Sequence, residues 1–162
     1  MLRAAAGSLV FLVIAPGVVA GLVPYLLTGW DAGDPPIVLQ VAGVALIAAG
    51  LAVLLEAFAR FVREGFGTPA PVAPTEQLVV GGLYRYVRNP MYLAVGAIIA
   101  GQALLLGRVV LLAYAALFFA VVAAFVKLYE EPTLARTYGD EYERYRAEVP
   151  GWWPRGASNH GE

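Results

Sequence analysis

The chain has no cysteine and a single histidine, His160, among its 162 residues. Disulfides and thiolate chemistry are therefore excluded, and one histidine cannot build a histidine-based metal site. Charge is also scarce, because only 14% of the residues are charged, whereas a soluble domain carries about 25%. The net charge of −1 provides no basic surface for a nucleic acid. We expect neither a metal nor a nucleic-acid partner.

Apolar segments take up most of the chain, which is 60% hydrophobic with a mean hydropathy of +0.69. A helix needs about 20 apolar residues to cross the hydrocarbon core of a bilayer. Four segments are of this order: 4–27, 37–61, 90–106 and 109–129. We predict one all-α integral membrane domain over 1–162, with four transmembrane helices.

Turn residues mark the ends of these segments. Pro36 and Pro90 suit the first turn of a helix, where the missing N–H is not needed. Asn89 is then a candidate N-cap for the third span. Only Gly107 and Arg108 separate the last two spans, which predicts a tight antiparallel hairpin. The proline-containing loop over 64–81 is predicted to be a linker.

The basic residues predict the orientation in the membrane. If the N-terminus is cytoplasmic, every Lys and Arg except Arg108 falls on the cytoplasmic side, while the first outer loop carries Asp31 and Asp34. We therefore predict a multi-pass protein with both termini in the cytoplasm. The turn before Pro90, the Glu130–Glu131 pair and the C-terminal segment would then meet at the cytoplasmic face.

A segment of different character follows Pro132. Its apolar and tyrosine residues recur at helical spacing, and its charged residues lie off that stripe. This pattern predicts a cytoplasmic amphipathic helix over about 133–149 that lies at the membrane interface or folds over the hairpin. Gly139 is expected to bend or break it, and Trp152 and Trp153 are expected to anchor at the interface.

Two polar clusters stand out against the apolar spans. In the first, Arg85 and Arg88 alternate with tyrosines just before the helix that begins at Pro90. Guanidinium groups, tyrosine rings and a helix N-terminus together suit a small anionic ligand with an aromatic part. The alternative is a positive-inside signal with side chains that snorkel to the interface.

The second cluster is the adjacent pair Glu130 and Glu131. Carboxylates at a helix C-terminus oppose the macrodipole, so they need partners, and Arg85 and Arg88 are predicted at the same depth. The alternative is an ordinary charged stop at the end of a span. Elsewhere, the Glu56–Arg60 pair is most simply structural.

Taken together, these motifs resemble those of the membrane methyltransferases, which include isoprenylcysteine carboxyl methyltransferase and the phospholipid N-methyltransferases. The resemblance covers about the last half of the chain. The matching residues, separated by an apolar hairpin, are Gly82, Tyr84, Arg88-Asn89-Pro90-Met91-Tyr92, Glu130-Glu131, Tyr138-Gly139-Asp140-Glu141-Tyr142, Tyr145 and Val149-Pro150.

The resemblance implies methyl transfer from S-adenosylmethionine to a lipophilic acceptor at the cytoplasmic membrane face, with S-adenosylhomocysteine as the product. It implies that the cofactor contacts come from the turn and from the end of the hairpin: Leu83, Tyr84, Arg85, Arg88, Asn89, Pro90, Tyr92 and Glu131. Glu130 would accept a proton and Arg144 would position an anionic acceptor as catalytic residues, and Tyr142 and Tyr145 would contact the acceptor. Many relatives have histidine where this chain has Asn89, and asparagine cannot act as a base.

The sequence leaves the acceptor open between a prenylcysteine-like carboxylate and a lipid amine. Two other functions remain as alternatives. One is an NADPH-dependent membrane reductase of the sterol-reductase type. The other is a small membrane protein without catalytic activity, which would bind no nucleotide.

Overall fold

A computed structural model describes residues 14–64 and 77–154, and all regular structure in these two ranges is helical. The first part of the predicted first span, most of the predicted linker and the tail with His160 lie outside the described residues. The helices are α1 (Ile14–Thr28), α2 (Ile37–Glu64), α3 (Pro90–Leu106), α4 (Val109–Phe125), α5 (Glu131–Tyr138) and α6 (Asp140–Glu148). A short 3₁₀ turn, Gly82–Arg85, precedes α3.

The helix over 90–106 begins at Pro90 and ends at Leu106, and the hairpin lies where the sequence predicted it. Gly107 ends α3 in the left-handed region, with φ 64°, and α4 begins at Val109. The helix predicted to end at about 129 continues instead to Tyr138, and the segment over 133–149 is helical with the expected break at Gly139. A π-helical turn, Val126–Glu130, joins α4 to α5 without a break. The break comes at Gly139, whose φ of 53° and ψ of −128° suit only glycine.

Two helices are long and apolar enough to cross a membrane, Ile37–Arg60 and Val109–Tyr138; α1 and α3 are apolar but shorter. Only 17% and 22% of the apolar windows in the two long helices are buried. The core helix of a soluble protein would be mostly buried, and a soluble surface does not expose such continuous apolar faces. The exposed faces of α2 and α4 therefore suit a lipid environment.

Glycines allow the backbones of helices α2 and α3 to approach each other closely. A Cβ atom added at Gly43 would lie 2.6 Å from the carbonyl oxygen of Gly101, and one at Gly50 would lie 2.8 Å from that of Ala94. On the other side of α3, Gly96 makes room for the ring of Phe119 from α4. Small residues of this kind allow close backbone contact between helices in a membrane.

Side chains from other helices complete the backbone hydrogen bonding of α1, where Val18–Leu22 forms a π-helical turn. Pro24 has no N–H to bond the carbonyl of Ala20, four residues earlier. Gln102 supplies the missing donor, with its Nε2 2.6 Å from that oxygen, and accepts a hydrogen bond from Trp30 Nε1 at 3.2 Å. In this way Gln102 ties α3 to α1.

The two ends of the bundle differ in polarity. At one end, Arg108 donates to the side chain and the carbonyl of Asp31, both at 2.9 Å. The turn before Pro90, the Glu130–Glu131 pair and the C-terminal helix meet at the other end, as the following section describes. The sequence predicted this grouping.

Replacing Gln102 tests the link between α1 and α3. Gln102→Leu leaves the Ala20 carbonyl without a donor, and we expect it to lower the free energy of unfolding in mixed micelles by about 1 kcal/mol. The loss should be smaller in a Pro24→Ala background, where the new N–H can reach Ala20. Gln40→Leu is the matched control, because Gln40 Nε2 donates to the nearby Pro35 carbonyl, at 2.8 Å, and not to another helix among the described residues. An equal loss with and without Pro24 would contradict this account.

Candidate active site

A cavity of about 330 Å³ lies among α1, α2, α3 and α4, next to the 3₁₀ turn. Polar side chains from the turn and the hairpin line one part of it, and apolar side chains of the helices line the rest. The lining residues are Ala15, Pro16, Val19, Leu54, Phe58, Tyr84, Arg88, Asn89, Pro90, Met91, Tyr92, Val95, Phe118, Phe125 and Glu130.

The turn that carries the polar residues packs directly on α2. Gly82 has φ 57°, and a Cβ atom there would overlap the carboxylate of Glu56. Arg60 Nε donates to that carboxylate at 2.9 Å, so the predicted structural pair forms and supports the turn. Tyr84 is buried behind it, and burial raises the pKa of its phenol well above the ordinary value. The phenol therefore stays neutral and cannot serve as a base.

Arg88 joins three elements. Its Nη1 lies 3.0 Å from Glu131 Oε1 and donates to the Tyr142 hydroxyl at 3.1 Å. The side chains of Arg88 and Glu131 are only 14% and 17% exposed. Arg88 Nε is buried and finds no acceptor within the described ranges, and the Arg88 side chain lines the cavity.

Asn89 occupies the predicted N-cap position of α3, but the predicted capping hydrogen bond is absent. Its Nδ2 instead donates to the carbonyl of Gly151 at 3.0 Å, and its backbone N–H reaches the same oxygen at 3.2 Å. The N–H of Arg88 donates to the Pro150 carbonyl at 2.9 Å. The segment after α6, the Pro150–Gly151 strap, therefore holds the turn in place through these hydrogen bonds. The sequence did not predict this role.

The two adjacent glutamates have different partners. Tyr92 donates its hydroxyl hydrogen to Glu130 Oε2 at 2.9 Å, and both side chains line the cavity. Glu131 forms an ion pair with Arg88, but Glu131 itself does not line the cavity. Both carboxylates have partners, and Arg88 is the arginine that reaches one of them. They do not lie at a helix C-terminus as expected, because the helix continues to Tyr138.

The C-terminal helix α6 supports the turn from outside. Tyr142 is 2% exposed, and Tyr145 donates to the backbone carbonyl of Tyr84 at 2.7 Å. Burial raises the pKa of both phenols above the ordinary value, so both hydroxyls keep their hydrogen. Neither tyrosine lines the cavity.

The structure brings five of the predicted cofactor residues to the cavity: Tyr84, Arg88, Asn89, Pro90 and Tyr92. Leu83 and the exposed Arg85 face away from it, beside Glu56 and Arg60. Arg144 is exposed on α6 and does not line it either. The predicted roles of these residues stay predictions.

The aromatic wall of the cavity was not identified from the sequence. Phe58, Phe118 and Phe125 contribute rings from two different helices. In the sequence, each is one apolar residue among many in a long apolar run, and no local pattern separates a cavity-facing phenylalanine from a lipid-facing one.

Comparison with known families identifies the chain. A family model described as phospholipid methyltransferase matches residues 38–141, which is more than half of the 162 residues. The chain belongs to the phospholipid methyltransferase family. No curated protein and no solved structure gives a match.

Membership in the phospholipid methyltransferase family makes the chain a membrane methyltransferase, and this confirms the resemblance drawn from the motifs. Enzymes of the family generally use S-adenosylmethionine. The matched region includes the turn, Tyr92 and both glutamates, whereas α1 and the Pro150–Gly151 strap lie outside it.

The Arg88–Glu131 pair predicts a specific stability pattern. Glu131→Gln leaves the Arg88 cation poorly compensated, and we expect a loss of about 3 kcal/mol in thermal unfolding experiments. The double variant Arg88→Met/Glu131→Gln removes both charges and should recover most of that loss. Glu143→Gln is the matched control, since Glu143 is 56% exposed, and should have little effect. Additive losses in the double variant would show that the pair does not form.

Proposed function

We propose that this protein transfers the methyl group of S-adenosylmethionine to the amine of a membrane lipid. The observation that carries the proposal is the buried Arg88, whose Nε has no acceptor among the described residues, in a cavity that also presents Glu130. Arg88 offers a donor for an anionic group of the ligand, and Glu130 offers a negative charge for a cationic one.

The cavity suits the cofactor in size and chemistry. Its volume of about 330 Å³ lies within the range of small-molecule sites. Arg88 Nε can donate to the cofactor carboxylate, and the rings of Tyr84 and Phe125 provide faces for a base or a sulfonium. When bound, the cofactor supplies a methyl group on a sulfonium, whose thioether is a good leaving group. Glu131 acts indirectly, by orienting Arg88.

Glu130 favours an amine as the acceptor over a carboxylate. A second carboxylate beside Glu130 would be repelled, whereas an ammonium group would be attracted. Before it can attack, the nitrogen must lose a proton, and Glu130 can accept it as a general base. The new N–C bond then forms as the S–C bond breaks. The hydroxyl of Tyr92 holds the Glu130 carboxylate at 2.9 Å.

For the membrane arrangement we propose four spans, with α1 and α3 crossing beside α2 and α4. The end with Arg108 and Asp31 would lie outside, and the end with the cavity would lie at the cytoplasmic face, where most basic residues lie. A water-soluble cofactor would then enter from the cytoplasm, and the lipid acceptor would enter laterally from the inner leaflet.

The reductase alternative finds less support in the cavity. A nicotinamide cofactor with a 2′-phosphate needs cationic partners, and Arg88 is the one Lys, Arg or His side chain among the described lining residues. One cation can bond a single carboxylate, but it would leave most of the phosphate groups of such a cofactor without a cationic partner. The predicted roles of Arg144, Tyr142 and Tyr145 toward the acceptor stay predictions.

A titration of the intact protein tests the cofactor assignment. S-adenosylhomocysteine should bind saturably in calorimetry, and NADPH should not. Arg88→Lys keeps the positive charge for Glu131 but loses Nε, so we expect affinity to fall about tenfold or more. Arg85→Lys is the matched control and also tests the predicted contact of Arg85, which is exposed on the same turn.

Equal losses in both variants would contradict the assignment of the cavity. Binding of NADPH instead would favour the reductase. If neither ligand binds to a protein that unfolds cooperatively, the result would favour a protein without catalytic activity.

Replacing Glu130 tests the acceptor. Glu130→Gln should bind S-adenosylhomocysteine but transfer labelled methyl to phosphatidylethanolamine vesicles about 100-fold more slowly. Tyr92→Phe should lose less, because it keeps the carboxylate. A prenylcysteine analogue is the comparison substrate, and its methylation by Glu130→Gln at the wild-type rate would identify a carboxylate acceptor and overturn the amine proposal.

A further inference from the structure

A second pocket lies on the other side of Glu131 from the cavity. Its volume is about 430 Å³, and it shares no lining residue with the cavity. The end of the hairpin forms one wall, and α6 with the chain after it forms the other. The lining residues are Ala123, Val126, Lys127, Glu131, Pro132, Ala135, Arg146 and Trp152.

Positive charge in this pocket exceeds negative charge. Lys127 forms no ion pair within the part of the chain that the structure describes. Arg146 lies 3.7 Å from Glu131 and 3.9 Å from Glu143, both too long for hydrogen bonds. Glu131 is the one acidic residue in the wall, and Arg88 already pairs with it at 3.0 Å. An anion entering between Lys127 and Arg146 would therefore find two cations with little competition.

The surface next to Lys127 indicates where such an anion would come from. Ala116, Ala120 and Ala123 are exposed on α4, and their spacing places them on the same helical face as Lys127. This face belongs to a helix long and apolar enough to cross a membrane. The three alanines form a smooth apolar path from the bilayer to the ammonium group of Lys127. Such a path suits the acyl chain of a lipid, whereas a soluble anion would make no contact with it.

Trp152 lines the same pocket as the two cations. Its ring centroid lies 6.4 Å from that of Tyr92, so it is fixed against α3. Tryptophan prefers the headgroup level of a bilayer. The two cations are thus placed for the headgroup of a lipid and the indole for its interfacial region. The alanine path is placed for the acyl chain of the same lipid.

We propose that the phosphate of an anionic membrane lipid binds between Lys127 and Arg146, with an acyl chain along Ala123, Ala120 and Ala116. This site is separate from the cavity, and its existence does not depend on the methyl transfer proposed above. Phosphatidylglycerol has the required chemistry, since it carries a net negative charge and two acyl chains.

Native mass spectrometry of the full chain in detergent micelles tests the site. We expect phosphatidylglycerol to bind more tightly than phosphatidylcholine, and Lys127→Gln and Arg146→Gln each to weaken it about fivefold. Arg136→Gln is the matched control, because Arg136 is exposed on α5 outside this pocket. Ala120→Phe should also weaken binding, without a change of charge, because it obstructs the acyl path.

Three outcomes would overturn the proposal. The first is an equal loss in Arg136→Gln, which would show attraction to net charge alone. The second is equal binding of the two lipids by the wild type. The third is displacement of the lipid by glycerol 3-phosphate, which would identify a soluble anion. Titration of the Lys127→Gln protein with S-adenosylhomocysteine reports on the cavity separately, since Lys127 is not part of its wall.

Discussion

The ion pair between Arg88 and Glu131 is the contact on which the polar end of the bundle depends. A guanidinium group that is largely removed from water needs a carboxylate beside it, and Glu131 lies 3.0 Å away. The same Arg88 nitrogen reaches Tyr142 of α6, and the Arg88 backbone N–H bonds the strap at Pro150. One side chain therefore fixes α3, the hairpin and α6 relative to each other, and the cavity takes its shape from that arrangement.

Two prolines explain the local geometry that this pair requires. Pro24 and Pro132 each follow a π-helical turn by two residues, Val18–Leu22 in one case and Val126–Glu130 in the other. A proline inside a helix removes one backbone donor and crowds the carbonyl four residues earlier, so the helix widens before it. In α1 this frees a carbonyl for Gln102. In the hairpin, the wider turn allows the helix to continue past Pro132, so that the glutamates lie within a continuous helix rather than at its end.

The sequence predicted the features that local chemistry determines. Pro90 and Gly107 mark the two ends of α3, and Gly139 marks the break before α6. It did not predict features that depend on distant partners. Asn89 was a candidate N-cap because it directly precedes the start of a helix. Its side-chain amide instead donates to the carbonyl of Gly151. The Gln102 amide donates to another helix, whereas the Gln40 amide donates to Pro35 next to its own helix. Such partners are set by tertiary contacts, which no local pattern contains.

The different surroundings of the two glutamates bear on which one can take part in proton transfer. Glu131 lies beside Arg88 and within 3.7 Å of Arg146, and its side chain does not line the cavity. Glu130 has no cation at hydrogen-bond distance within the described chain and accepts only from the neutral phenol of Tyr92. Because Glu130 lines the cavity and Glu131 does not, Glu130 is the residue that accepts the proton of the amine in the proposed reaction, whereas Glu131 keeps Arg88 oriented toward the cavity.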